Sequence, residues 1–170
     1  VRARVLVGCP RVATAFETIR ARVLGREREL LALRQEVSEM RAKMRDNLGS
    51  KETSAGRAVN AFDAGQPFDL KQDVGGIVDI EFMVQYAALA WSHDHPQLLT
   101  YTDNIRILDG LREQRLLPAD DVAALQEAYK ALRSVAHRLA LQKQPGKVAG
   151  DQLVGERRTV MRIWQELGLA

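Results

Sequence analysis

The sequence predicts an all-α fold, an antiparallel bundle of about five to six helices with one long mobile loop, and three observations carry that prediction. Apolar residues recur at three- and four-residue spacing in nearly every periodic segment, no stretch alternates strongly enough to build a sheet, and Gly or Pro separates the periodic runs. A chain of 170 residues suits one domain with a continuous core, so residues 1–170 read as a single helical domain.

The first helix, PRVATAFETIRARVLG, opens on Pro10, which a first turn accepts, and repeats Val12, Phe16, Ile19 and Val23 before Gly25. The second runs from about Glu27 to Leu48 on Leu30, Leu33, Val37, Met40, Met44 and Leu48, with Gly49 as its stop. Residues 49–67 have no period and few apolar anchors, and are read as a flexible loop within the domain. FDLKQDVGG is extended and turning, and a helix starts near Gly76 and runs to Trp91. Pro96 prevents its simple continuation, and Asp103 caps a short helix carrying Ile105, Leu108 and Leu111. Pro118 and Ala119-Asp120-Asp121 open a long helix whose seam is Val122, Leu125, Tyr129, Leu132, Ala136 and Leu139. After the polar connection QKQPGKVAGD, a last helix carries Leu153, Val154, Val160, Met161, Trp164 and Leu167.

Composition narrows the function classes. Cys9 is the lone cysteine, so no intrachain bridge is possible; a reducing, cytosolic compartment is the simpler expectation, and no histidine or motif beside it supports a nucleophile. No apolar run has the length to span a bilayer and VRARVLVGCP lacks a secretory pattern, so a soluble, cytoplasmic protein with no membrane partner is expected. The net charge of +3 hides an asymmetry: residues 1–51 hold 12 Lys+Arg against 6 Asp+Glu, and the remainder is net acidic. Because the arginines alternate with glutamates in ERELLALRQEVSEMRAKMR and aromatics are few, a solvated, salt-bridged helix face is favoured over a nucleic-acid surface.

The stretch KQDVGGIVDIEF asks why acids should stand at the start of a strongly apolar helix. At about 100° per residue, Ile77, Ile80, Val84, Ala87, Ala88 and Trp91 share one broad face, and Val78, Phe82 and Leu89 form a second stripe. Glu81 and Gln85 fall between these stripes, and Asp79 lies on the other side beside Met83 and Tyr86. Two readings compete. In one, the acids favour the helix dipole and pair with arginines of the 27–48 helix, Arg34, Arg41 or Arg45, with Glu81 buried. In the other, Lys71, Asp73, the Gly75-Gly76 turn and Asp79 form part of a wall facing nucleotide phosphates and their metal. The expectation combines them: Glu81 as scaffold, Lys71 and Asp73 in an exposed turn.

Other candidates have plainer explanations. His93-Asp94-His95 lacks the three or four converging ligands of a metal site, so no metal ligands are expected here. His137 sits among Arg133, Arg138 and seam residues without a partner for base catalysis. Asp103 is explained as a helix cap, which leaves Asn104 and Arg106 open to a nucleotide-base role.

FDLKQDVGGIVDIEFMVQY, with LRQEVSEMRAKMRDNLG upstream and TDNIRILDGL and YKALRSVAHRLALQ downstream, resembles the helical domain following the second nucleotidyltransferase core in the bifunctional glutamine synthetase adenylyltransferase/deadenylylase family. A related element marks uridylyltransferases acting on the PII signal protein. The resemblance implies a parent enzyme that uses ATP and magnesium to transfer AMP to a tyrosine of glutamine synthetase when nitrogen is plentiful. It also implies partners in glutamine synthetase, PII and the preceding nucleotidyltransferase core. The superfamily's Asp-x-Asp pair is absent from these 170 residues, so this chain is expected to hold no catalytic residue and to be inactive alone.

Overall fold

The computed structural model describes residues 1–49 and 62–170. Most of the loop expected over 49–67 therefore lies outside the described residues. Among the described residues there are six α-helices: α1 (Pro10–Leu24), α2 (Leu30–Leu48), α3 (Ile77–Trp91), α4 (Asn104–Glu113), α5 (Ala119–Leu141) and α6 (Val154–Glu166). A short 3-10 turn, Pro96–Leu99, links α3 to α4. None of these helices is long and apolar enough to cross a membrane.

The helices start and stop for local reasons. Cys9 precedes Pro10 at the start of α1, and the Gly25 N–H closes its end on Ala21 O. The α2 helix begins later than its periodicity suggests, because the Glu29 carboxylate caps it, accepting from the Leu31 and Ala32 N–H groups. Asp103 caps α4 as expected, its Oδ1 accepting from Arg106 N at 3.0 Å.

At the centre is α3, buried along Ile77, Val78, Ile80, Met83, Val84, Ala87 and Ala88. Around it pack Ile107, Leu108 and Leu111 of α4, Val122, Leu125 and Leu132 of α5, and Val160 and Ile163 of α6. The α2 helix lies antiparallel along the Asp79–Met83–Tyr86 side. Arg34 Nε donates to Tyr86 Oη at 2.9 Å, and Arg41, two turns on, donates to Asp79, two turns back.

Two expectations need correction. The connections before α3 and after α5 pair as a small antiparallel sheet, β1 (Pro67–Asp69) with β2 (Lys147–Ala149), Phe68 opposite Val148. Strands of three residues leave no alternation to read. The apolar stripe of α1 also finds little core: Val12, Ile19 and Val23 are exposed, and the one buried residue of that helix is Arg20.

Candidate functional site

The turn between β1 and α3 is stitched together by carboxylates. Asp69 Oδ1 accepts from Lys71 N and Gln72 N, both at 2.9 Å, and Asp73 Oδ2 accepts from Asp69 N at 2.8 Å. The backbone then folds under itself: Gly76 N donates to Asp73 O, Ile77 N to Leu70 O and Val78 N to Lys71 O. Asp79 closes the turn from above, its Oδ2 accepting from Gly75 N at 2.7 Å. Its other oxygen takes Arg41 Nε at 2.5 Å, and Arg41 Nη2 reaches Gln72 O at 2.7 Å. Both partners of this ion pair are buried, so the charges are removed from water together and met by each other and by backbone, with Arg41 Nη1 left without a hydrogen-bond partner among the described residues.

The two glycines are required by close approach. Gly75 has φ +83°, and a Cβ there would stand 2.9 Å from Arg157 O; at Gly76 it would stand 2.8 Å from Asp73 O. Arg157 is buried beneath the turn, its guanidinium 3.8 Å from the centre of the Phe68 ring, with Nη1 donating to Gly150 O. Burial pulls this guanidinium below its ordinary pKa, and the charge of Asp73 works against that shift.

The acid of α3 that pairs with the second helix is thus Asp79, and the expected bond of Glu81 to Arg34, Arg41 or Arg45 is not made. Arg34 serves Tyr86, and Arg45 lines a second cavity, of about 460 Å³, beside Asp79, Trp164 and Leu169. The physical reason is which neighbour covers which lane: α2 lies over Asp79, Met83 and Tyr86, leaving Glu81 partly open. Its Oε1 instead accepts from Arg2 Nη1 at 3.0 Å and from Tyr129 Oη at 3.3 Å. Asp73, expected in an exposed turn, is also buried, because it serves as an acceptor within the turn. Of Lys71, Asp73, Gly75, Gly76 and Asp79, Lys71 alone is exposed.

Lys71 stands at the wall of a cavity of about 1070 Å³, formed where the β1–α3 turn faces α5 and the N-terminal segment. Lys130, Arg133, Ser134 and His137 enter it from one face of α5, at the i, i+3, i+4 and i+7 spacing of a helix. That spacing was readable in YKALRSVAH; its facing partners were not. The Glu81 end of the cavity is braced by Tyr129, whose Oη also accepts from Asn104 Nδ2 at 2.9 Å, so Asn104 is buried in this network. Arg106 lies over the Tyr101 ring, 4.9 Å from its centre. The histidine triplet makes polar contacts of its own, His93 Nδ1 with Gly25 O and His95 Nδ1 with Gln114 Oε1. Among the described residues no three His, Cys, Asp or Glu side chains converge as a metal site.

A central apolar helix, a carboxylate-locked glycine turn and a basic cavity beside it define this helical domain. The chain belongs to the family described as GlnD PII-uridylyltransferase, whose sequence model matches residues 38–167. Its relatives include the bifunctional glutamine synthetase adenylyltransferase/adenylyl-removing enzymes of Pseudomonas putida (67% identical over 170 residues) and Pseudomonas syringae pv. tomato (69% over 170). That of Pseudomonas aeruginosa is 66% identical over 169 residues. The matches cover 99–100% of this chain and 17% of each relative, so the chain spans about a sixth of their length.

Proposed function

We propose that this chain is the helical part of an enzyme that transfers AMP from ATP to a tyrosine of glutamine synthetase, and that it completes the cleft for nucleotide and protein substrate. The observation that carries this reading is the placement of Lys71: the exposed member of the Lys-x3-Gly-Gly-x2-Asp element, held by the buried Arg41–Asp79 pair at the wall of a basic cavity. Rigid support under an exposed cation is what positioning a phosphate requires. Asp73, Gly75, Gly76 and Asp79 then act by holding the turn. ATP brings the transferred group. Any magnesium would be held by residues outside this chain, since Asp73 and Asp79 are committed to the turn. The 170 residues alone are therefore expected to be inactive.

Lys71→Ala in the full-length enzyme tests this. Lost adenylyl transfer with an unchanged melting temperature supports the cleft. Normal transfer with altered response to PII would favour a second reading, a docking module for PII or glutamine synthetase; the exposed Val12, Ile19 and Val23 of α1 favour that reading.

A further inference from the structure

We propose that the cavity between α2 and α6, of about 460 Å³, binds a small aromatic monocarboxylate, its charge met by Arg45 and its ring packed against Trp164. It shares no lining residue with the cavity beside Lys71, and the inference does not depend on the nucleotide reading.

Arg45 follows Arg41 by one turn of α2, and the two are used differently. Arg41 is matched by Asp79. Among the described residues Arg45 has no carboxylate partner, and its Nε is buried without a hydrogen-bond acceptor. Two acids on the walls do not answer it. Asp79 is committed to Arg41 and to Gly75 N, and Glu39 is exposed and accepts from Gln35 Nε2 at 2.9 Å. Arg41 Nη1 is likewise without an acceptor, so the two guanidinium groups carry more donors than the protein's own oxygens use. A buried N–H left in this way costs free energy that an incoming acceptor recovers.

The rest of the wall selects the ligand's body and limits its charge. Ala42, Val74, Met161, Trp164 and Leu169 are apolar, so an anion entering here loses water that only Arg45 replaces. A phosphate dianion would bring two charges against one unmatched cation; a monocarboxylate brings one. Trp164 is buried and Met161 lies one turn before it on α6, and an indole and a thioether both pack favourably on an aromatic ring. A space of about 460 Å³ stands at the small end of small-molecule sites, which suits one ring with a short acid arm.

The walls are also set in advance. Ser38 Oγ donates to Leu169 O at 2.6 Å and Leu169 N donates to Trp164 O at 3.2 Å, so one residue ties the α6 side of the cavity to α2. A cleft held in this way spends little ordering entropy on binding.

Calorimetric titration of the full-length enzyme with phenylacetate, phenylacetamide and acetate tests the site. Phenylacetate should bind with a Kd below about 1 mM. Phenylacetamide keeps the shape and loses the charge, acetate keeps the charge and loses the ring, and each should bind at least about tenfold more weakly. Arg45→Gln should weaken phenylacetate about tenfold. Ala42→Leu, which keeps Arg45 and favours the helix while filling the cavity, should abolish binding. Lys43→Gln, an exposed charge on α2 outside the cavity, should change the Kd by less than about twofold. Absence of phenylacetate binding, equal binding of phenylacetamide, or binding that Arg45→Gln or Ala42→Leu leaves intact while circular dichroism shows a native fold overturns the site. Adenylyl transfer is not the readout, so such a failure leaves the role of Lys71 untouched.

Discussion

Helices α1 and α3 have the same length, yet one, with a single apolar stripe, is nearly all surface and the other, apolar nearly all round, is nearly all core. In α3 nine residues are buried, including a charged one; in α1 the buried residue is Arg20. The attachment of α1 is correspondingly polar. Arg20 Nη1 donates to Leu99 O at 2.7 Å and Nη2 to Val1 O at 3.0 Å, while Ser92 Oγ donates to Leu24 O at 2.9 Å. Periodicity states that a helix has an apolar side; it does not state that another element comes to cover it. Burial of α3 follows from neighbours on every flank, and these also force the one charge they enclose, Asp79, to be matched by a cation.

The contrast breaks most sharply at Arg41. Arg41→Ala leaves the Asp79 carboxylate buried without a cation and should cost roughly 3–5 kcal/mol in equilibrium urea unfolding; a loss below about 1 kcal/mol would mean that α3 is not anchored through this pair. Gly75→Ala comes next. Its positive φ and the 2.9 Å approach to Arg157 O should cost about 1–3 kcal/mol, measured by thermal melting, with the helix content of the folded state unchanged. Glu81→Ala, on the open lane of the same helix, should cost about 1 kcal/mol or less, because its partner Arg2 is substantially exposed. A loss as large as that of Arg41→Ala would return Glu81 to the scaffold. Smallest is Ile19→Lys on α1, expected within about 0.5 kcal/mol by the same melts; a larger loss would show that the α1 stripe is covered after all.

What could be read from the sequence followed from short-range rules. The helices lie where their periodicity, their Pro and Gly stops and the Asp103 cap put them, and Lys71 is exposed in a turn as expected. The readings that fell short all depended on chain segments meeting. A helical wheel separates the Asp79 lane from the Glu81 lane but does not say which one α2 covers, so the buried acid was misassigned. The Glu29 cap escapes a search for Ser, Thr, Asp or Asn. Arg115 and Lys143 adopt positive φ just past helix ends where glycine would have been the signal. The cavity joins residue 2, the turn at 69–72 and the α5 face at 130–137, and no local pattern announces that meeting.

The pairing of β1 with β2 bears on the order in which the chain assembles. Phe68 and Val148 are opposed across all of α3, α4 and α5, so their ladder closes a very long loop with few hydrogen bonds to reward it. Such a pairing is a poor nucleus for folding; it forms once the intervening helices have brought its two halves together, and it is a place where the native state can open short of global unfolding. Asp69, Leu70 and Gly146, which flank or belong to this latch, also line the basic cavity. Its opening would therefore unseal one wall of the cavity and withdraw Phe68 and Leu70 from the core while the helices remain formed. In native-state hydrogen exchange the Leu70 amide, bonded to Gly146 O at 3.0 Å, should exchange through this partial opening and faster than the amides of α3; exchange of both at the same rate, set by global unfolding, would show that latch and core open as one.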